Sequence, residues 1–245
     1  MNAFGLRCLN MIIISALLMH ASPLFSYTPY GELLCTQPDY TCRKITRGDS
    51  WGGLFPDAQQ RDIVKRVNRT NQFLRPDMII AIPKNLPQLT INDVSPFPQY
   101  IESSLEKTLY VDQQKLAWGA YDKQGKLVRW GPVSTGSNPC PDVPDGCLTP
   151  IGSFRIIQKQ GPECISNSFP RRINGVNGGG DMPYCMRFFR GFFLHGSTDL
   201  AGYPDSHGCV RLFIEDAKWL NEVFVHVSDG RVKGTRVIIL SSNAR

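Results

Sequence analysis

Residues Ser206 to Leu212 read SHGCVRL: a histidine two positions before a cysteine, a glycine between them, and an arginine two positions on. A cysteine so placed is a nucleophile, a metal ligand, half of a disulfide, or a small apolar filler. The filler role requires none of these neighbours. A metal role would draw on His195, His207 and Cys209, which zinc accepts, but no glutamate stands nearby as a base and the spacing matches no familiar metal motif. A nucleophile requires a base, donors for a developing oxyanion, and a group that orients the base. His195 ends the apolar run GFFLHG, where a strand would present its ring to the thiol. Gly208 permits close approach of the backbone, so the N–H groups of Gly208 and Cys209 would converge on an oxyanion. Val210 or Arg211 leads towards a helical stretch whose amides would favour a thiolate, so the thiol is expected to have a lowered pKa.

The disulfide alternative depends on compartment and on the cysteine count. In residues 1–31 the only charged side chain is Arg7, followed by the apolar run Met11 to Met19. That is the pattern of a secretory signal peptide, and the run is too short to span a bilayer. Residues 1–26 are assigned to the signal, with the cut between residues 21 and 26; a short membrane anchor is the alternative. Of the eight cysteines, Cys8 leaves with the signal, and an odd number remains. In an oxidising compartment this suggests three disulfides and one thiol. Proximity favours Cys35 with Cys42, Cys140 with Cys147, and Cys164 with Cys185, which leaves Cys209 unpaired.

The rest of the chain must position these groups. Removal of the signal leaves roughly 220 residues, enough for one sizeable core or a small domain plus a medium one. The 22 Gly and 18 Pro point to turns and β-structure rather than a helical bundle. A net charge of +6, with Lys and Arg scattered, excludes a dedicated nucleic-acid binder. Residues 42–83 read as strand, turn, a helix over Gln59 to Asn68 with Ile63, Val64 and Val67 on one face, and a closing strand over Met78 to Ile82. Residues 84–98, rich in proline, read as a linker. From residue 99 to 245 alternating runs predict strands, with a hairpin turn at Asp122 to Gly125; the spacing of Ile214, Ala217, Leu220 and Phe224 predicts a helix, and GTRVIIL a final strand.

Two resemblances follow from these motifs. The turn GDSW, the stretch VNRTN and the ending LRPDMIIAIP make residues 42–83 similar to a LysM module. That implies a βααβ fold that binds N-acetylglucosamine-containing glycan strands, with Trp51 and Phe55 as the available aromatic platform. The alternative is a small domain that only packs on its neighbour. Further on, His195 and Gly196 followed by SHGCVRL, together with VSTGS, TPIGSFRI and MPYCMRFFRGFFLHG, resemble the L,D-transpeptidase (YkuD-type) catalytic domain over Thr108 to Leu240.

The second resemblance implies a mainly β fold with a few helices, of the family's β-sandwich or barrel type, and a peptidoglycan stem peptide as substrate. Cys209 would form a thioester and His195 would be the base, its ring oriented by a carbonyl such as that of Gly196. His207 and Gly208 would shape the oxyanion region. Arg211 would hold the motif or attract a carboxylate, Ser206 would bond within the turn, and Tyr184 would line the cleft. Transfer to an amine gives a cross-link, a protein lysine as acceptor gives anchoring, and water gives an L,D-carboxypeptidase. No cofactor and no metal are expected, nor stable membrane insertion after signal cleavage, and the protein is expected in the periplasm or cell envelope. A rival from another class is a non-catalytic cell-wall-binding or surface-interaction protein. If residues 42–83 only target glycan, deleting them would leave turnover of small soluble muropeptides nearly unchanged.

Overall fold

The computed structural model describes residues 27–138, 140, 143, 146–166, 172–173, 176–177 and 180–241. The expected signal peptide, its cleavage window and Cys8 lie outside them. No helix among the described residues is long and apolar enough to cross a membrane.

The N-terminal unit runs α1 (Tyr30–Leu33), β1 (Tyr40–Lys44), α2 (Trp51–Leu54), α3 (Ala58–Val67) and β2 (Ile79–Pro83). β1 and β2 pair antiparallel, with Tyr40 opposite Pro83. Ser50 caps α2 by accepting the Gly53 N–H, and Asp57 caps α3 by accepting that of Gln60; each satisfies a donor that a helix start leaves orphaned. Ile63, Val64 and Val67 face a small core with Ile45, Ile80 and Ala81. Trp51 and Phe55 belong to the same core, each only 7% exposed, so neither offers a face to a sugar ring. Their spacing is that of an apolar helix face, and burial there outweighs display.

Residues 84–98 are packed rather than free. Ile91 and Val94 lie against both the N-terminal core and a second cluster built on Phe97, Tyr121 and Trp130. The Trp130 indole N–H donates to the Ile91 carbonyl at 2.7 Å. The proline-rich composition that suggests a linker here makes a packed strap of turns around a short helical turn, Leu86–Gln88.

The larger unit contains β3 (Thr108–Asp112), β4 (Ala117–Tyr121), β5 (Leu127–Ser134), β6 (Gly152–Arg155), β7 (Gln158–Lys159), β8 (Arg172–Ile173), β9 (Val176–Asn177), β10 (Met186–Phe189), β11 (Phe192–Gly196), β12 (Val210–Leu212), α4 (Ile214–Trp219) and β13 (Arg236–Leu240). Nine strands form one continuous sheet in the order β6-β13-β3-β4-β5-β12-β11-β10-β7, and β8 pairs with β9 in a separate ribbon. The β4–β5 hairpin turns at Asp122 to Gly125; Gly125 has φ +79°, and a Cβ there would lie 2.2 Å from the Ile101 carbonyl oxygen, so glycine is required. Leu109, Val111, Trp118, Leu194, Val210, Leu212 and Val237 fill the core beneath the sheet, with Ala217 and Leu220 packed on them. α4 continues over Leu220–Phe224 as a wider turn closed by the Val225 N–H on the Leu220 carbonyl.

The two units meet through buried polar contacts. Arg66 of α3 forms a two-pronged bond with Asp216 of α4 at 2.8 and 3.0 Å, and Arg129 of β5 reaches the same carboxylate at 2.7 Å. Arg66 is 2% exposed and Asp216 fully buried. The Asn71 side chain spans the start of the loop after β11, donating to the Ser197 carbonyl at 2.7 Å and accepting the Leu200 N–H at 2.9 Å.

Candidate active site

The three disulfides are Cys35–Cys42, Cys140–Cys147 and Cys164–Cys185, the pairs proximity favours. Cys209 is a free thiol, half-buried. It stands just before β12, which runs parallel to β11 with Leu194 opposite Val210 and His195 opposite Arg211. Leu194 and Val210 point into the core. His195 and Arg211, one residue further on each strand, therefore share the opposite face.

His195 is 6% exposed, and its Nδ1 lies 2.9 Å from the Gly196 carbonyl oxygen. A carbonyl only accepts, so Nδ1 carries the hydrogen and Nε2 is left with a lone pair. Burial lowers the pKa of His195 to about 4; the Gly196 bond opposes that shift and the Arg211 charge adds to it. The ring is thus a neutral base at neutral pH. The Gly196 N–H donates to the Pro183 carbonyl at 2.8 Å, and a Cβ on Gly196 would lie 3.1 Å from that oxygen and from the Ile214 Cα. Gly196 therefore joins the histidine strand to the segment bearing Tyr184, which is partly buried against the main core.

The thiol departs from the sequence expectation. Burial raises the Cys209 pKa above its ordinary value, and the Phe193 N–H and the Arg211 charge only partly offset this. No helix start supports it either: residues Val210–Leu212 are a strand, and α4 begins at Ile214. The thiol, which points its hydrogen at the Gly191 carbonyl at 3.9 Å, and the imidazole are therefore both neutral rather than a preformed ion pair.

The turn before Cys209 is held from several sides. Gly208 has φ +107°, and a Cβ there would lie 2.7 Å from the Phe192 ring, so no other residue fits. Its N–H donates to Ser206 Oγ at 3.1 Å, and Ser206 Oγ donates to the Cys209 carbonyl at 2.5 Å. The Gly208 N–H is therefore engaged within the turn, by the Ser206 hydroxyl. Thr149, buried and not singled out in the sequence, donates to the Gly208 carbonyl at 2.8 Å and accepts the Gly136 N–H at 2.9 Å. It belongs to the TPIGSFRI match, which was the available signal.

His207 lies elsewhere from His195. Its ring nitrogen and the sulfurs of Cys140 and Cys147 all fall within 4.8 Å of one another, the one such His, Cys, Asp or Glu group among the described residues, and both sulfurs are spent on a disulfide. The zinc set of His195, His207 and Cys209 is not assembled. Arg211 donates to the Asp199 carbonyl at 3.3 Å and lies 3.7 Å from the carboxylates of Asp199 and Asp205. These contacts anchor the guanidinium, and both His195 and Cys209 feel its charge. Neither aspartate was recognisable from the motif. A cavity of about 500 Å³ lined by Gln59, Asp62, Arg66, Arg129 and Trp130 sits at the junction of the two units and shares no residue with this site.

The family profile of the L,D-transpeptidase catalytic domain (YkuD) matches residues 106–239. Comparison with curated proteins gives no match. Among solved structures, the chain is similar to an L,D-transpeptidase from Xylanimonas cellulosilytica, at 24% identity over 74% of this chain and 79% of that one, with a TM-score of 0.51. It is also similar to an L,D-transpeptidase (Yku) from Stackebrandtia nassauensis, at 25% identity, 60% and 61% coverage and a TM-score of 0.44. A third is an L,D-transpeptidase from Mycobacterium smegmatis, at 20% identity, 56% and 59% coverage and a TM-score of 0.43. The first of these likenesses is one of fold.

Proposed function

Because the chain belongs to the L,D-transpeptidase (YkuD) catalytic-domain family, we propose that it is a peptidoglycan L,D-transpeptidase in which Cys209 forms a thioester with a stem peptide. The observation that carries this reading is the free Cys209 one strand away from a neutral His195 whose tautomer is fixed by Gly196. His195 Nε2 takes the thiol proton as sulfur attacks the carbonyl that follows the diamino residue. The Cys209 N–H faces the developing oxyanion. Collapse expels the terminal D-alanine, whose amine takes the proton from His195, and leaves the thioester. An acceptor amine then attacks, gives its proton to His195, and releases the cross-linked product and the Cys209 thiolate, which recovers that proton.

The strand–helix–helix–strand order of residues 40–83 supports a LysM-like role in holding glycan strands. With Trp51 and Phe55 buried, the aromatic surface in this unit is Phe73, 90% exposed. Three disulfides fit an exported protein of the periplasm or cell envelope. Incubation with purified muropeptides tests the reaction: release of D-alanine together with a cross-linked dimer is expected, and Cys209→Ser abolishes both. Release without a dimer would make the protein an L,D-carboxypeptidase, and unchanged muropeptides would refute the enzyme.

A further inference from the structure

The face of the sheet that carries His195 bears a second arginine that the reaction above does not use. In the β10–β11 hairpin Met186 stands opposite Leu194 and Arg187 opposite Phe193. Met186 and Leu194 are fully buried in the core. Arg187 and Phe193 therefore take the other face, where His195 follows Phe193 by two residues and Arg211 stands across from His195. Two cations thus flank the histidine strand, one on each neighbouring strand.

Their surroundings differ. Arg211 is held by Asp199 and Asp205. Arg187 is partly buried, its Nε is enclosed with no hydrogen-bond partner among the described residues, and no described carboxylate pairs with it. Its cross-strand neighbours are Phe193 and, on β7, Gln158. Phe193 packs against Cys164, Met182 and Cys185, so the disulfide between those cysteines lies against this part of the sheet. With Nε enclosed, the end of the partly buried side chain that remains for an incoming acceptor is its Nη pair, and an arginine with no carboxylate partner gains from one. A planar acceptor that takes two parallel N–H bonds suits that pair, and a carboxylate has this shape.

We infer that Arg187 is a substrate-binding residue that takes a carboxylate of the acyl-donor peptide, seating the donor across β10 and β11 with its scissile carbonyl at Cys209. The inference rests on the stem-peptide reading above. A donor stem offers two such groups, the side-chain carboxylate of the diamino residue and the terminal carboxylate of D-alanine. Arg187 and Cys209 lie on either side of Phe193, two strand spacings or roughly 10 Å apart, a span to be bridged by the length of the arginine together with that of the bound peptide.

The experiment uses the full mature chain, a donor tetrapeptide, and two analogues amidated at one carboxylate or the other. Arg187→Gln is expected to raise KM for the unmodified peptide by about tenfold or more, with kcat and the alkylation of Cys209 by iodoacetamide nearly unchanged. Arg187→Lys, which keeps the charge and loses the fork, should fall between. In the native protein one amidated analogue should show the same rise in KM, and Arg187→Gln should show no further penalty for it; the analogue so affected identifies the carboxylate. Peptide binding to Cys209→Ala, with and without Arg187→Gln, separates this inference from the reading on which it rests. Arg187-dependent binding without turnover by the native protein would sink the transferase and keep the anion site. Unchanged KM and unchanged binding in Arg187→Gln, or an amidation penalty that persists in it, would overturn the inference.

Discussion

At the scale of single residues, the proposed chemistry depends on a buried histidine and a half-buried thiol, both kept neutral. A histidine whose pKa is lowered to about 4 stays a competent base until the pH falls through that value. A thiol raised by burial stays protonated until the pH rises beyond the ordinary range for cysteine. Acylation by a donor peptide should therefore hold its rate from neutral pH down towards 4, and iodoacetamide alkylation should still be rising at pH 9. An acid limb centred near 6.5, or alkylation complete by pH 7, would show the ion pair this geometry disfavours. That His195 ends a strand, that Cys209 is a free thiol and that Gly208 sits in a tight turn was legible in SHGCVRL, GFFLHG and the cysteine count. The direction of the thiol's shift was not, since it depends on how much protein closes over Cys209 and sequence spacing does not report that.

At the scale of elements, the turn before Cys209 is braced by segments distant in sequence. Thr149 holds the Gly208 carbonyl and the Gly136 N–H through one hydroxyl. Thr149→Val keeps the shape and leaves both partners unpaired, at about 1–3 kcal/mol for each unsatisfied group. Urea denaturation should show that loss, together with slower turnover. An unchanged midpoint would mean that water or a rearranged loop replaces the hydroxyl. The hairpins were readable in advance from their alternation and turn residues. The stretch RFFRGFFLHG shows the limit: it looks like one long strand, but it divides at Arg190 and Gly191 into β10 and β11, and the only mark of that turn is an Arg-Gly step between two like apolar runs.

At the scale of the whole molecule, the N-terminal unit is built into the catalytic one. Arg66, Asp216 and Arg129 form a buried charged network across the junction, and Asn71 holds the loop that follows the strand bearing His195. Asp216→Ala leaves two arginines around an empty site and should cost about 3–5 kcal/mol, read as a drop in the unfolding midpoint; a loss below about 1 kcal/mol, typical of exposed pairs, would show that the junction is wetter than it looks. For the same reason, deleting residues 42–83 should impair turnover of even small soluble muropeptides, against the expectation for a module that only targets glycan. Composition marks residues 84–98 as a break, and only the contacts of Ile91, Val94 and Trp130 reveal a strap. A charged residue on a helix face gives no sign of its partner when the two are 150 positions apart, as Arg66 and Asp216 are.

The central claim is that Cys209 is the nucleophile. Its most direct test is peptide mapping, without reduction, of the mature protein after incubation with a carbapenem, a strained acyl donor. The account predicts one added acyl group, located on the peptide containing Cys209, released by hydroxylamine as a thioester, and absent from Cys209→Ser. Cys209 found in a disulfide, an adduct on another residue, or full transfer activity in Cys209→Ser would contradict it.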